Sequence, residues 1–383
     1  MTPAPPDPTL PSRDVAASPW SWRLGTLAGI PVFVHASFSI LLVWVAISHL
    51  RRGDGTAAIL AGLLFTLSIF GCVVLHELGH ALVARRFGVR TRDITLLPIG
   101  GVARLESMPE KPTHELLVAL AGPAVNLLIA LVLLGVLLFL HGPMGPEGLQ
   151  VASGPFLTRL LWVNVALAVF NLLPAFPMDG GRVLRSAFAL RLDRTRATEL
   201  AARIGQAMAL LFGVLGLLYN PFLVLIAIFV WMGARAEASM VQMKSALHGI
   251  QVNQAMITDY HTLGPTQPLS EVVDLTLATF QQDFPVLEAG RPVGVLTHAD
   301  LIRGLTEAGP STPVQAVMQR EFSLASPIES LEVALARLQE SPCRALLVVR
   351  DHRLLGMVTP DNVTELLTMS RAVKAARTPH RPA

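Results

Sequence analysis

Residues 57–87 read AAILAGLLFTLSIFGCVVLHELGHALVARRF. Crossing a bilayer takes about 20 mostly apolar residues, and this run is long enough. Its second half nevertheless holds His76, Glu77 and His80. Ionisable side chains inside such a run are costly and mark function. Residues four apart share one face of a helix, so both imidazoles can reach a single metal ion. Glu77, between them, can approach a metal-bound water as general base, as the H-E-x-x-H pattern requires. Zinc at such a site brings the water's pKa toward about 7. The competing reading is a polar helix–helix contact that happens to fit the pattern, and the apolar setting weighs against it.

The first two thirds of the chain share this texture. Of 383 residues, 52% are hydrophobic and 15% charged, against about 25% charged in an average soluble protein. Apolar runs at Pro31–Leu50, Ala57–Phe87, Glu115–Leu140, Pro155–Leu173, Ala197–Leu218 and Pro221–Met243 give six expected membrane helices. Leu116–Leu140 contains no charge, so a soluble helix there would lack a solvent face. Basic residues cluster after the second, fourth and sixth runs, whereas 141–154 has no Lys or Arg. The positive-inside rule then predicts a multi-pass cell-membrane protein with both termini in the cytosol, against the vote of Arg51 and Arg52. A net charge of +3 is too mild to argue for nucleic acid, and none is expected as a partner. Cys72 and Cys343 lie in separate regions and make neither a disulfide framework nor a thiolate site. Residues 1–20 are rich in Pro, Ala and Ser without a signal-peptide core. They read as a disordered tail, as do 371–383.

Past Gly249 short β-rich runs such as Pro292–Leu296 and Ala345–Val349 alternate with amphipathic ones, and the segment repeats itself. Asn253–Met256 resembles Val314–Met318, and Gly294-Val-Leu-Thr297 resembles Gly356-Met-Val-Thr359. The predicted architecture is a polytopic α-helical membrane domain over 21–248, followed by two small α/β modules over 249–310 and 311–370.

A catalytic zinc usually takes three protein ligands and keeps one position open. The fourth run ends Asn171-Leu-Leu-Pro174-Ala-Phe-Pro177-Met-Asp179-Gly180-Gly181-Arg182. Its prolines break a helix and its glycines permit tight turns. Irregular backbone at membrane depth must be buried in protein or face water. Asp179 is therefore a candidate third ligand, alongside the plain alternative of a cap or turn aspartate. Asp93–Leu105 contains two short apolar runs around Gly100-Gly101, a hairpin signal. An exposed strand there would hold an extended peptide by strand addition.

HExxH at His76–His80 together with NxxPxxPxDGGR at Asn171–Arg182 resembles the site-2 protease family, the intramembrane zinc metalloproteases (peptidase family M50). The resemblance runs from about Trp22 to Leu367 and is closest to the branch carrying paired CBS modules; no PDZ-like insertion is seen. It implies zinc held by His76, His80 and Asp179, Glu77 activating water, and regulated proteolysis of membrane proteins in the lipid bilayer. Gly122-Pro-Ala-Val-Asn126 also resembles a family pattern. Asn126 either orients the site or holds helices together, and Asn171 either hydrogen-bonds the scissile carbonyl or its oxyanion or packs. His35 matches a histidine common in the family and is read as structural.

The C-terminal repeats resemble CBS modules, which pair, can dimerise, and bind adenine nucleotides. The resemblance points to Thr297 and Asp300 as ribose contacts in the first repeat; the second departs from the pattern, with Asn362 after Thr359. A pair that only supports structure or a homodimer is the alternative. A CBS-gated transporter or channel is the rival function, and it leaves HExxH and the DGG segment unexplained. A metal-dead scaffold is a third reading, opposed by the presence of every expected ligand.

Overall fold

The computed structural model describes residues 20–106, 109, 111–141, 155–279, 281–339, 341, 343–351 and 353–377. The connection at 142–154, residues 1–19 and residues 378–383 lie outside the described residues, whereas 371–377, expected as part of a disordered tail, continue a helix. The chain divides into two compact units, the first ending at Ser239 and the second starting at Met240.

The first unit opens with strands β1 (Ser21–Leu27) and β2 (Ile30–His35), then helices α1 (Phe38–Arg51) and α2 (Thr56–Arg86). Strands β3 (Thr91–Leu97) and β4 (Gly100–Leu105) follow α2 directly. The four strands form one sheet in the order β1-β2-β3-β4, with β2 and β3 parallel and the outer pairs antiparallel. Helices α1 and α2 supply the crossover that parallel strands require. The expected hairpin is present, but its turn is Pro98-Ile99, and the two glycines begin β4 instead. The first apolar run is not one helix. Residues 30–35 alternate buried and half-buried in β2, which suits β-branched and aromatic side chains such as Val32, Phe33 and Val34.

Helices α3 (Pro112–His141) and α4 (Phe156–Asn171) come next. The chain is then irregular through Pro174 and Pro177 and restarts as α5 (Asp179–Ala189), with Asp179 as its first residue. A carboxylate suits the positive end of the helix dipole. Helix α6 (Arg194–Leu218) follows, and α7 (Pro221–Leu247) begins in this unit and ends in the residues of the second. Among the described residues, four helices, α2, α3, α6 and α7, are long and apolar enough to cross a membrane, while α1 and α4 are shorter apolar helices. Leu128, Leu131, Phe139 and Leu217 stand exposed on the long helices, as lipid-facing side chains do.

The second unit is an α/β tandem. One repeat contributes α8 (Leu269–Ala278), β5 (Phe284–Glu288), β6 (Arg291–Leu296) and α9 (His298–Glu307). The other contributes β7 (Ser323–Ala325), α10 (Leu331–Gln339), β8 (Leu346–Arg350), β9 (Arg353–Val358) and α11 (Pro360–Arg377). Helix α11 runs past residue 370, where the sequence reading ends the second module. Val295 of the first repeat packs with Cys343, Leu347 and Met357 of the second in a shared core. Burial pushes the Cys343 thiol up to about 11, so it is an inert packing group.

Candidate metal centre

The helical spacing of His76 and His80 delivers both imidazoles to one side of α2, where they face Asp179 at the start of α5. The three atoms His76 Nε2, His80 Nε2 and Asp179 Oδ2 lie 3.1–3.2 Å from one another. All three residues are buried, and they are the one such cluster of potential ligands among the described residues.

Each imidazole is oriented from behind. His80 Nδ1 donates to the Val118 carbonyl at 2.7 Å. His76 Nδ1 donates to Asn126 Oδ1. Asn126 Nδ2 in turn donates to Asn164 Oδ1 at 2.9 Å, and Asn164 Nδ2 reaches the Leu160 carbonyl and Cys72 Sγ. A neutral imidazole that spends its proton at Nδ1 presents a lone pair at Nε2. Two such nitrogens and a carboxylate oxygen therefore converge with no hydrogen between them, and only a cation suits that arrangement. Zinc bonds of 2.0–2.1 Å set ligand atoms about 3.3 Å apart in a tetrahedron, close to the triangle observed. The donor set fits zinc.

Gly122 on α3 keeps the space beside the imidazoles clear. A Cβ at this position would collide with Nε2 of both His76 and His80. Glu77 is half-buried on the adjoining face of α2, against the first residues of β4: a Cβ on Gly101 would lie 2.9 Å from Glu77 Cγ. The general-base candidate, next to His76 in the chain, thus packs against β4, the edge strand of the sheet. Asp179 Oδ1 faces Arg182 at 3.9 Å. Asn171 ends α4 half-buried. His35 sits at the end of β2, bonded to Ser37.

Asn164 carries no sequence signal, yet it is fully buried behind Asn126. Metal-site mutations of this outer kind typically cost 10–100-fold in affinity or activity. Asn164→Leu frees the Asn126 amide to turn, and zinc affinity is expected to fall about tenfold. Competition with a chelator measures it; an unchanged affinity removes Asn164 from the relay.

A profile of peptidase family M50 matches residues 64–155 and 146–212. A zinc metalloprotease of Methanocaldococcus jannaschii is 36% identical over 278 residues, covering 72% of this chain and 78% of its own length. The chain belongs to family M50, the site-2 protease family. As an M50 member it carries a CBS pair, whose family profile matches 252–307 and 314–368. A Synechocystis protein named as a zinc metalloprotease is 30% identical over 380 residues, 91% of this chain and 96% of its own. Among solved structures, the site-2 protease from Methanocaldococcus jannaschii is 38% identical, covers 57% of this chain and 95% of its own, and has a TM-score of 0.42.

The CBS pair of this M50 protein holds a cleft of about 1020 Å³. Thr297 and Asp300 do not line it. Asp300 is buried, with Gln319 Nε2 at 3.0 Å from both of its oxygens and with Arg303 and Thr297 bonded to it as well. The carboxylate chosen from the motif is therefore fully occupied within the fold. The cleft lies between the repeats, lined by His298 and Ala299 of the first and by Thr359, Asp361 and Asn362 of the second. Burial holds the Asp283 carboxyl, also on its wall, above the usual range.

Proposed function

We propose that this protein is an intramembrane zinc metalloendopeptidase acting on membrane-spanning or membrane-associated substrates. The convergence of His76, His80 and Asp179 in a lipid-exposed helical unit carries the reading. We read α1 and α4 as two further, short spans, which makes six. The distribution of basic residues supports a cell-membrane location with the CBS pair in the cytosol.

His76, His80 and Asp179 would hold the zinc, which when bound would polarise the scissile carbonyl and lower the pKa of water toward about 7. Val118 and the Asn126–Asn164 pair keep both imidazoles in the tautomer that leaves Nε2 free. Glu77 takes a proton from the attacking water and delivers it to the leaving amine. The water oxygen bonds to the carbonyl carbon, the C–N bond breaks, and a carboxylate and a protonated amine result, the amine taking up both of the water's protons. The substrate must be extended, because a helix buries its own amides; it adds as a strand to the open edge of β4. Asn171 donates to the scissile carbonyl oxygen or its oxyanion. A CBS-gated transporter or channel would give Glu77 no reason to stand beside three metal ligands.

Purified protein is expected to hold about one zinc per chain. Asp179→Ala is expected to release it to a chelator that the wild type withstands, and to lose proteolysis with it. Zinc retention with normal cleavage in that variant would defeat the assignment.

The CBS cleft supports binding of an adenine nucleoside compound that tunes proteolysis. Among the described residues, Asp259, Asp283, Asp361 and Glu365 line it with Arg344, His261 and His298. Four carboxylates facing one guanidinium disfavour a triphosphate, so an adenosyl compound of low or positive charge is the expected ligand. Calorimetry on the full-length protein with adenosine, AMP, ATP and adenosyl-methionine tests this. The expected order places ATP last, with Asp361→Ala weakening adenosyl-methionine. Tightest binding of ATP, or no binding of any, would refute it.

A further inference from the structure

The irregular segment that leads into Asp179 is held along one face of α7. Val230, Gly233, Ala234, Glu237 and Ala238 recur at spacings of three and four, which places them on a single face. Val230 packs in a buried cluster with Ala175 and Met178. Ala234 packs with Phe176, and Ala238 lies against the same cluster. Gly233 lies under Pro177, where a Cβ would come within 2.9 Å of the proline nitrogen.

The same helix grips α5 beyond Asp179. Glu237 accepts a hydrogen bond from Arg185 Nη1. Arg185 turns its Nε to Glu115 Oε1 on α3 at 2.7 Å, and its guanidinium sits over the Phe176 ring. Arg194 reaches the other oxygen of Glu115 at 3.3 Å. Arg185 and Glu115 are almost fully buried, and the two cations balance the two carboxylates. Removing one partner of a buried pair leaves an uncompensated charge, so the clasp resists being opened. Asp179 is thus pinned from α7 on both sides, by Pro177 before it and Arg185 after it.

We propose that Arg185 and Glu237 are positioning residues for the third metal ligand: by clasping α5 to α7 they make the placement of α7 set that of the Asp179 carboxylate against His76 and His80. The proposal rests on the reading of Asp179 as a zinc ligand.

The test uses full-length protein loaded with Co²⁺, whose visible absorption reports ligand geometry. Glu237→Leu is expected to change the spectrum and to speed metal release to a chelator about tenfold, with kcat lowered and KM unchanged. Glu237→Gln keeps a hydrogen-bond acceptor and restores most of the effect. Met232→Ala, on the exposed face of α7, changes nothing. Gly233→Ala keeps every charge, presses on Pro177, and is expected to shift the spectrum in the same way; it serves if Glu237→Leu does not fold. Wild-type spectra and release rates in Gly233→Ala and in folded Glu237→Leu overturn the proposal. A wild-type spectrum in Asp179→Ala would instead remove the ligand assignment, and the proposal with it.

Discussion

Glu77→Gln is expected to keep its zinc and lose about 10²–10⁴-fold in proteolytic rate, the usual contribution of a positioned general acid–base. The two halves of that expectation have separate causes. The ligand triangle is closed by His76, His80 and Asp179, and Glu77 contributes no atom to it, so metal content should not change. An amide of nearly the same shape also preserves the fit against β4, where Gly101 leaves room for the side chain. Only proton transfer is removed. Co-expression with a panel of the host's single-span membrane proteins reads the loss as missing cleavage products, and metal analysis reads the retention. Normal cleavage by Glu77→Gln would mean that another group moves the proton.

What the sequence made legible follows from how local each signal is. His76 and His80 are four residues apart on one helix, so the helical repeat alone brings their imidazoles together. Asp179 is about a hundred residues away, and spacing alone does not distinguish it from an ordinary turn aspartate. Asn164 was invisible for a related reason. Its partner Asn126 lies 38 residues away on another helix, and nothing in an apolar run distinguishes an asparagine in a relay from one that joins helices. The first strands were lost because a short apolar run such as 31–50 has no period long enough to separate strand from helix.

Charged residues carry partners that spacing alone does not show. Arg182, Arg185 and Arg194 entered the sequence reading as votes for the cytosolic side, which counts residues without assigning partners. Arg185 proves to be among the most buried side chains, held by Glu115 and Glu237. Asp300 fitted a ligand motif by spacing, but Gln319, far along the chain, reaches both of its oxygens. A motif fixes which residues are near in sequence. It does not fix what tertiary structure brings to the same atoms.

A single methyl group on α3 is expected to empty the metal centre. Gly122 faces the two imidazoles so closely that a Cβ would strike Nε2 of each. Those nitrogens are the lone-pair donors, and the methyl would lie where a cation must approach them. Relief by moving α3 is opposed nearby, because Gly79 of α2 is itself packed against the Ala121 carbonyl and Val125 of α3. Relief by turning the imidazoles would break the bonds from His76 to Asn126 and from His80 to Val118. Gly122→Ala should therefore purify with zinc reduced to the level of a chelator-stripped sample, and without proteolysis. Gly135→Ala is the control on the same helix, since a Cβ there meets nothing within 4 Å. It should keep zinc and activity, with a helix stabilised by up to about 1 kcal/mol from the propensity difference. If Gly122→Ala keeps both zinc and activity, α3 does not close over the imidazoles in the way that orients them, and the metal must be approached from another side.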